Sequence, residues 1–124
     1  MKMREKNEIE KLVDRVYHDG GFTVSLSKGP VPKKGYVVAL GNIFTGRESE
    51  AYREADSLLK IIKAASPCFL GGWLDKKTGL IYFDIVEIFS NLDKALRIGK
   101  ELNEIAIFNL ETGEEIRINY DESK

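Results

Sequence analysis

The stretch from Phe69 to Val86 constrains the fold more than any other, because it reads as a β-hairpin whose register follows from its turn. Lys76-Lys77-Thr78-Gly79 is loop chemistry, with Gly79 supplying the left-handed conformation such a turn needs. Asp75 is therefore expected opposite Leu80, and Trp73 opposite Tyr82. Alternation then puts Leu70, Leu74, Ile81, Phe83 and Ile85 on one face, an apolar stripe that has to be covered. The other face carries Phe69, Trp73, Tyr82, Asp84 and Val86. Aromatics beside a carboxylate mark a face that is either half-buried under something polar or the landing place of a partner.

The cover for the apolar stripe is legible in the flanking periodicity. Ile9, Leu12, Val13, Val16 and Tyr17 recur at helical spacing, and Gly20-Gly21 supply a stop, so a first helix is expected from about Lys2 to His18. Ala51, Ala55, Leu58, Leu59, Ile62 and Ala65 line a second, from about Glu48 to Ala65, closed by Ser66-Pro67 and carrying an Asp56–Lys60 pair. Asn91 caps a third, striped by Leu92, Ala95, Leu96, Gly99 and Leu102. A glycine inside a helix is costly, so Gly99 is expected to permit close packing on the sheet.

Phe22 to Leu26 alternates as a half-buried strand. Ser27 to Gly35, with Pro30 and Pro32, is a loop, and Tyr36 to Gly41 is the return strand of a hairpin. A last hairpin joins Ile105–Asn109 to Glu114–Ile118 through a turn ending in Gly113. It sets Ile107 against Ile116 and Ile105 against Ile118, with Ala106, Phe108, Glu115 and Arg117 on the reverse face. Asp121 to Lys124 are expected to fray.

Helix and strand pair thus alternate three times. Three hairpins and three amphipathic helices imply an α+β two-layer sandwich, a largely antiparallel sheet of about six strands with three helices, in one domain over residues 1–124. With 124 residues, 43% of them hydrophobic, the chain can bury a core without disulfides or metal.

Most catalytic kits are missing. The chain holds one cysteine and one histidine, which excludes an intrachain disulfide and a cysteine-based zinc site. His18 falls at a helix end that favours a protonated imidazole. Cys68 alternates with Leu70 and Gly72 on the core face, where thiols are inert. Gly20-Gly21 and Gly71-Gly72 match no phosphate loop, and a Gly-Gly pair in a strand marks a bulge or room for a close neighbour. Asp84, across from Gly71, admits three readings: a residue facing solvent or bonded to a backbone donor or Arg117, a polar anchor in a binding face, or a catalytic acid.

The 19 basic and 20 acidic residues leave a formal charge of −1, which argues against a protein held on nucleic acid by a global basic field. Phe69, Trp73, Tyr82 and Phe108, with Lys76 and Lys77 at the hairpin tip, nonetheless keep single-strand binding as an alternative. The charged start and the lack of an apolar run of about 18 residues predict no membrane helix and a cytoplasmic protein.

The combination Gly21-Phe22-Thr23, Gly35-Tyr36-Val37-Val38-Ala39, Leu70-Gly71-Gly72-Trp73-Leu74-Asp75, Thr78-Gly79, Tyr82-Phe83-Asp84 and Ile105-Ala106-Ile107-Phe108-Asn109-Leu110 with Thr112-Gly113-Glu114-Glu115-Ile116 resembles an uncharacterised small domain of phage and mobile-element proteins. The resemblance spans about residues 20–118 and carries no active-site residues. It implies a chain that acts by binding host or phage factors, defence nucleases among them, in the host cytoplasm. The expected function is therefore a non-enzymatic binding module acting on a protein partner, without cofactor or metal, through Phe69, Trp73, Tyr82, Asp84, Phe108 and Arg117. A nucleic-acid-associated accessory domain is the alternative.

Overall fold

A computed structural model describes residues 6–118. The elements in chain order are α1 (Glu8–Asp19), β1 (Gly21–Leu26), β2 (Tyr36–Gly46), α2 (Glu48–Arg53), α3 (Ala55–Ala65), β3 (Cys68–Asp75), β4 (Leu80–Phe89), α4 (Leu92–Glu101), β5 (Ala106–Asn109) and β6 (Glu115–Arg117). The fold is α+β, an antiparallel six-stranded sheet in the order β1-β3-β4-β2-β5-β6 with helices packed on one side.

The central hairpin has the expected register: Trp73 faces Tyr82 and Asp75 faces Leu80. Its turn is held by Gly79 N–H donating to Asp75 O at 2.7 Å, with Gly79 at φ +77°. Asp75 Oδ1 accepts from Lys77 N and Thr78 Oγ1 from Leu80 N. The last hairpin repeats this chemistry, with Asn109, Thr112 and Gly113 in the corresponding places, and sets Ile107 opposite Ile116. Side chains that bond the backbone two residues on, followed by a left-handed glycine, define both turns.

One expected hairpin does not exist. β1 and β2 do not pair; the β3–β4 hairpin inserts between them, so β1 pairs with β3 and β2 with β4 and β5. The physical reason lies at Phe22, whose ring occupies the space a side chain at Gly72 would need, with ring atoms 2.4–2.5 Å from an ideal Cβ there. Gly71-Gly72 is thus a seat for a neighbour, and the β3 ladders run through it without a bulge. Gly72→Ala is expected to lower stability by about 1–3 kcal/mol, because Phe22 must leave its seat against Phe83. An unchanged urea midpoint contradicts this packing.

β2 also runs past Gly41, the expected end of the strand, to Gly46. Two irregularities, between Ala39 and Gly41 and between Asn42 and Phe44, let it keep pairing with β4. The extension carries Phe44 onto the helix side beside Phe83.

Helices cover the sheet face that holds Leu70, Ile81 and Phe83, each fully buried, with Leu74 and Ile85 half-buried at its margins. α1 begins at Glu8 because Asn7 caps it: Asn7 Oδ1 accepts from Glu10 N, and Glu10 returns a carboxylate to Asn7 N; the expected start near Lys2 lies outside the described residues. Tyr17, expected in the core stripe, is exposed. The second expected helix is two, parted at Glu54, so there are four helices among the described residues. No glycine or proline marks that break; it lets Ala51 and Ala55 both bury while the Tyr52 hydroxyl donates to Asp14 on α1. Asp56 accepts from Asn7 Nδ2 at 3.0 Å.

α4 lies over a smaller core of Val38, Ala95, Ile107 and Ile118. A Cβ at Gly99 would stand 2.6 Å from Ile118 Cδ1 and 3.1 Å from Ile107 Cγ2, the close approach its presence in a helix implied. Leu92 and Leu102, expected in the stripe, are exposed at the helix ends. Ile105, expected on the apolar face, is 66% exposed, since the ladder stops at Ala106 and only its carbonyl is used, by Ile118 N–H. Asp121 to Lys124 lie outside the described residues.

Candidate functional site

The opposite sheet face, on which no helix packs among the described residues, is assembled from cross-strand rows. Pairing registers place Gly21, Trp73, Tyr82 and Thr45 in one row, and Thr23, Gly71, Asp84 and Asn42 in the next. The third row is Ser25, Phe69, Val86 and Ala39. Beyond it, Val37 aligns with Ile88 and Phe108, and Phe108 with Glu115.

The rows differ in cover. Phe69, Val37 and Val86 are buried, roofed by Val31 from the β1–β2 loop and Leu110 from the last turn. Phe69 therefore packs as a core residue of this side, with the Lys28 ammonium 5.8 Å from its ring centre. The first two rows are open. Trp73 is 44% exposed, yet its indole stacks on Tyr82 at 4.6 Å between ring centres and 11° between planes. A held aromatic surface of this kind loses little side-chain entropy when something lands on it.

Asp84 stands beside that stack, half-buried. Its partner is Asn42, whose Nδ2 donates to Asp84 Oδ1 at 2.9 Å and also to Phe44 O at 3.0 Å. Thr45 Oγ1 donates to Asn42 Oδ1 at 3.2 Å, which fixes the amide and aims its NH2 at the carboxylate. Arg117, one of the partners the sequence left open for Asp84, lies three strands away on β6, exposed, with its Nε 3.2 Å from Glu115. Burial pushes the Asp84 carboxyl above the usual carboxylate range, against the opposing pull of Asn42. Glu104, in the α4–β5 connection, is raised by burial and by the charge of Asp84.

The structure therefore brings together Trp73, Tyr82 and Asp84, and adds Asn42 and Thr45, with Glu104 near enough to feel the charge of Asp84. Phe108 and Arg117 share the same side of the sheet, both exposed, but at its far end on β5 and β6. Asn42 was hidden by Gly41-Asn42, which reads as the end of a strand; the apolar pair Ile43-Phe44 after it is the signal that the strand continues. Nothing local marks Glu104.

A carboxyl whose folded pKa lies above its unfolded value binds more protons folded than unfolded between the two, so stability falls as pH rises through that window. Asp84→Asn is expected to raise the urea midpoint at pH 7, since the amide oxygen still accepts from Asn42, and the gain should shrink as pH approaches about 4. A variant less stable than wild type at pH 7 contradicts the account.

Elsewhere the side chains suited to nucleophilic chemistry are placed apart. Cys68 is buried on the helix side, its thiol raised by burial. His18 is exposed at the end of α1, with Nδ1 2.6 Å from Asp19 Oδ1. Among the described residues, no group of three or more His, Cys, Asp and Glu is placed to hold a metal ion, and no helix is long and apolar enough to cross a membrane. Comparison with protein-family models, with curated proteins and with solved structures finds no match.

Proposed function

We propose that this chain is a binding module that engages a protein partner through the open sheet face at Trp73, Tyr82 and Asp84. The observation that carries the reading is the stacked, half-exposed indole beside a carboxylate that the fold holds ionised only at a cost. Binding surfaces combine a rigid aromatic anchor with a polar group that becomes fully paired on contact. A Lys or Arg side chain of the partner fits best: it would lie against the aromatic pair and neutralise Asp84. An anti-defence role in a phage or mobile element is one version of this reading and rests on resemblance alone.

The nucleic-acid alternative is disfavoured on this face, because Asp84 would confront phosphates. Capture from host extract compares wild-type bait with Trp73→Ala and Asp84→Ala baits. A protein held by the first and lost from both variants supports the reading. Identical capture by all three overturns it, as does a salt-sensitive shift of DNA that Lys76→Ala/Lys77→Ala abolishes.

A further inference from the structure

The two edges of the sheet are built differently. β6 is three residues long, and two of them, Glu115 and Arg117, are charged. Charges on a short edge strand discourage pairing with another chain. β1 is six residues long, Gly21-Phe22-Thr23-Val24-Ser25-Leu26, without charge or proline, and among the described residues its one strand neighbour is β3. Its other side carries no such protection.

Alongside β1 runs a groove of about 490 Å³. Its floor is apolar: Val24 and Leu26 from the strand, Leu12 from α1, and Leu59 and Ile62 from α3. Val24, Leu26, Leu12 and Leu59 are only partly buried, so the groove holds apolar surface that the fold leaves wet. Its rim is mainly cationic, with Lys11, Arg15 and Lys63 against the single carboxylate of Glu8. Lys11 and Arg15 have weak partners at the surface, Glu8 at 3.8 Å and Asp19 at 3.6 Å. Lys63 makes no ion pair among the described residues.

We infer that the β1 edge is a second docking site, taking an extended acidic peptide of a partner protein that adds as a strand beside β1. Main-chain hydrogen bonds to β1 supply affinity, and alternate apolar side chains of the peptide enter the groove. Acidic residues flanking them meet Lys11, Arg15 and Lys63. A second copy of this chain fits less well: strand β1 against strand β1 would bring two cationic rims together.

The probe is a fluorescein-labelled octapeptide alternating Leu or Val with Glu, titrated against the full chain. Its controls are the same peptide with Lys for Glu and the same peptide N-methylated at alternate amides. The acidic peptide is expected to bind at least about tenfold more tightly than the Lys peptide, and N-methylation in one of the two registers to abolish binding. Amide shifts should map to β1, α1 and α3. Val24→Lys should weaken binding, and because that change could disturb folding, the surface double variant Lys11→Glu/Lys63→Glu is the companion test: it should prefer the Lys peptide. No binding of the acidic peptide at about 1 mM overturns the proposal. So does equal affinity for both peptides, indifference to N-methylation in both registers, or dimerisation of the free chain through β1. Trp73→Ala should leave this binding unchanged, which separates it from the open sheet face.

Discussion

Phe83→Ala is expected to lower the free energy of unfolding by about 3–5 kcal/mol. Phe83 sits on β4, inside the sheet, and no part of it reaches solvent. Its ring meets Phe22 at 5.8 Å and Phe44 at 6.0 Å, both tilted, so it links β1 and β2 across β3 and β4, the two strands between them. Truncation removes the shared centre of that cluster. The surrounding backbone is pinned by ladders on both sides of β4, so the space cannot close by collapse. Lys77→Ala, at the exposed hairpin tip, should change stability by less than about 0.5 kcal/mol. Urea melts with similar midpoints for the two variants would contradict the assignment of faces.

Trp73→Ala is expected to weaken partner binding by more than about 2 kcal/mol, roughly 30-fold, while leaving the fold intact. The indole is the largest open apolar surface in the two uncovered rows, and Tyr82 holds it in one orientation. Its removal takes away contact area and also frees the Tyr82 ring, so the loss should exceed that of an isolated surface tryptophan. Titration calorimetry on the captured partner, with circular dichroism to confirm folding, reads this directly. An affinity within threefold of wild type would place the anchor elsewhere.

Much of this arrangement was legible in the sequence because turn chemistry is local. Asp75 with Thr78-Gly79, and Asn109 with Thr112-Gly113, set two registers and thereby the face of every residue from Leu70 to Ile85. Strand order was not legible, since it depends on what lies beside what. Phe22 reads as a core residue in any pairing, and only the seat at Gly72 shows why β1 joins β3 rather than β2. The site divided in the same way. Trp73, Tyr82 and Asp84 follow from one hairpin, whereas Asn42 required a bulged strand that reads as a turn, and Glu104 is brought near Asp84 by tertiary structure alone. Phe69 shares the open face by register yet is buried, because its cover, Val31 and Leu110, comes from two loops distant in the chain.

The central claim is that the aromatic and acidic rows, rather than the hairpin-tip lysines, carry binding. The measurement is the partner's dissociation constant for Trp73→Ala, Asp84→Ala and Lys76→Ala/Lys77→Ala, taken side by side on variants shown to be folded. Exposed lysines at a hairpin tip act mainly on encounter rate, so the double lysine variant should bind within a few-fold of wild type while the other two lose at least about tenfold. Loss of binding in the lysine variant, with Trp73→Ala and Asp84→Ala retaining it, would contradict the account.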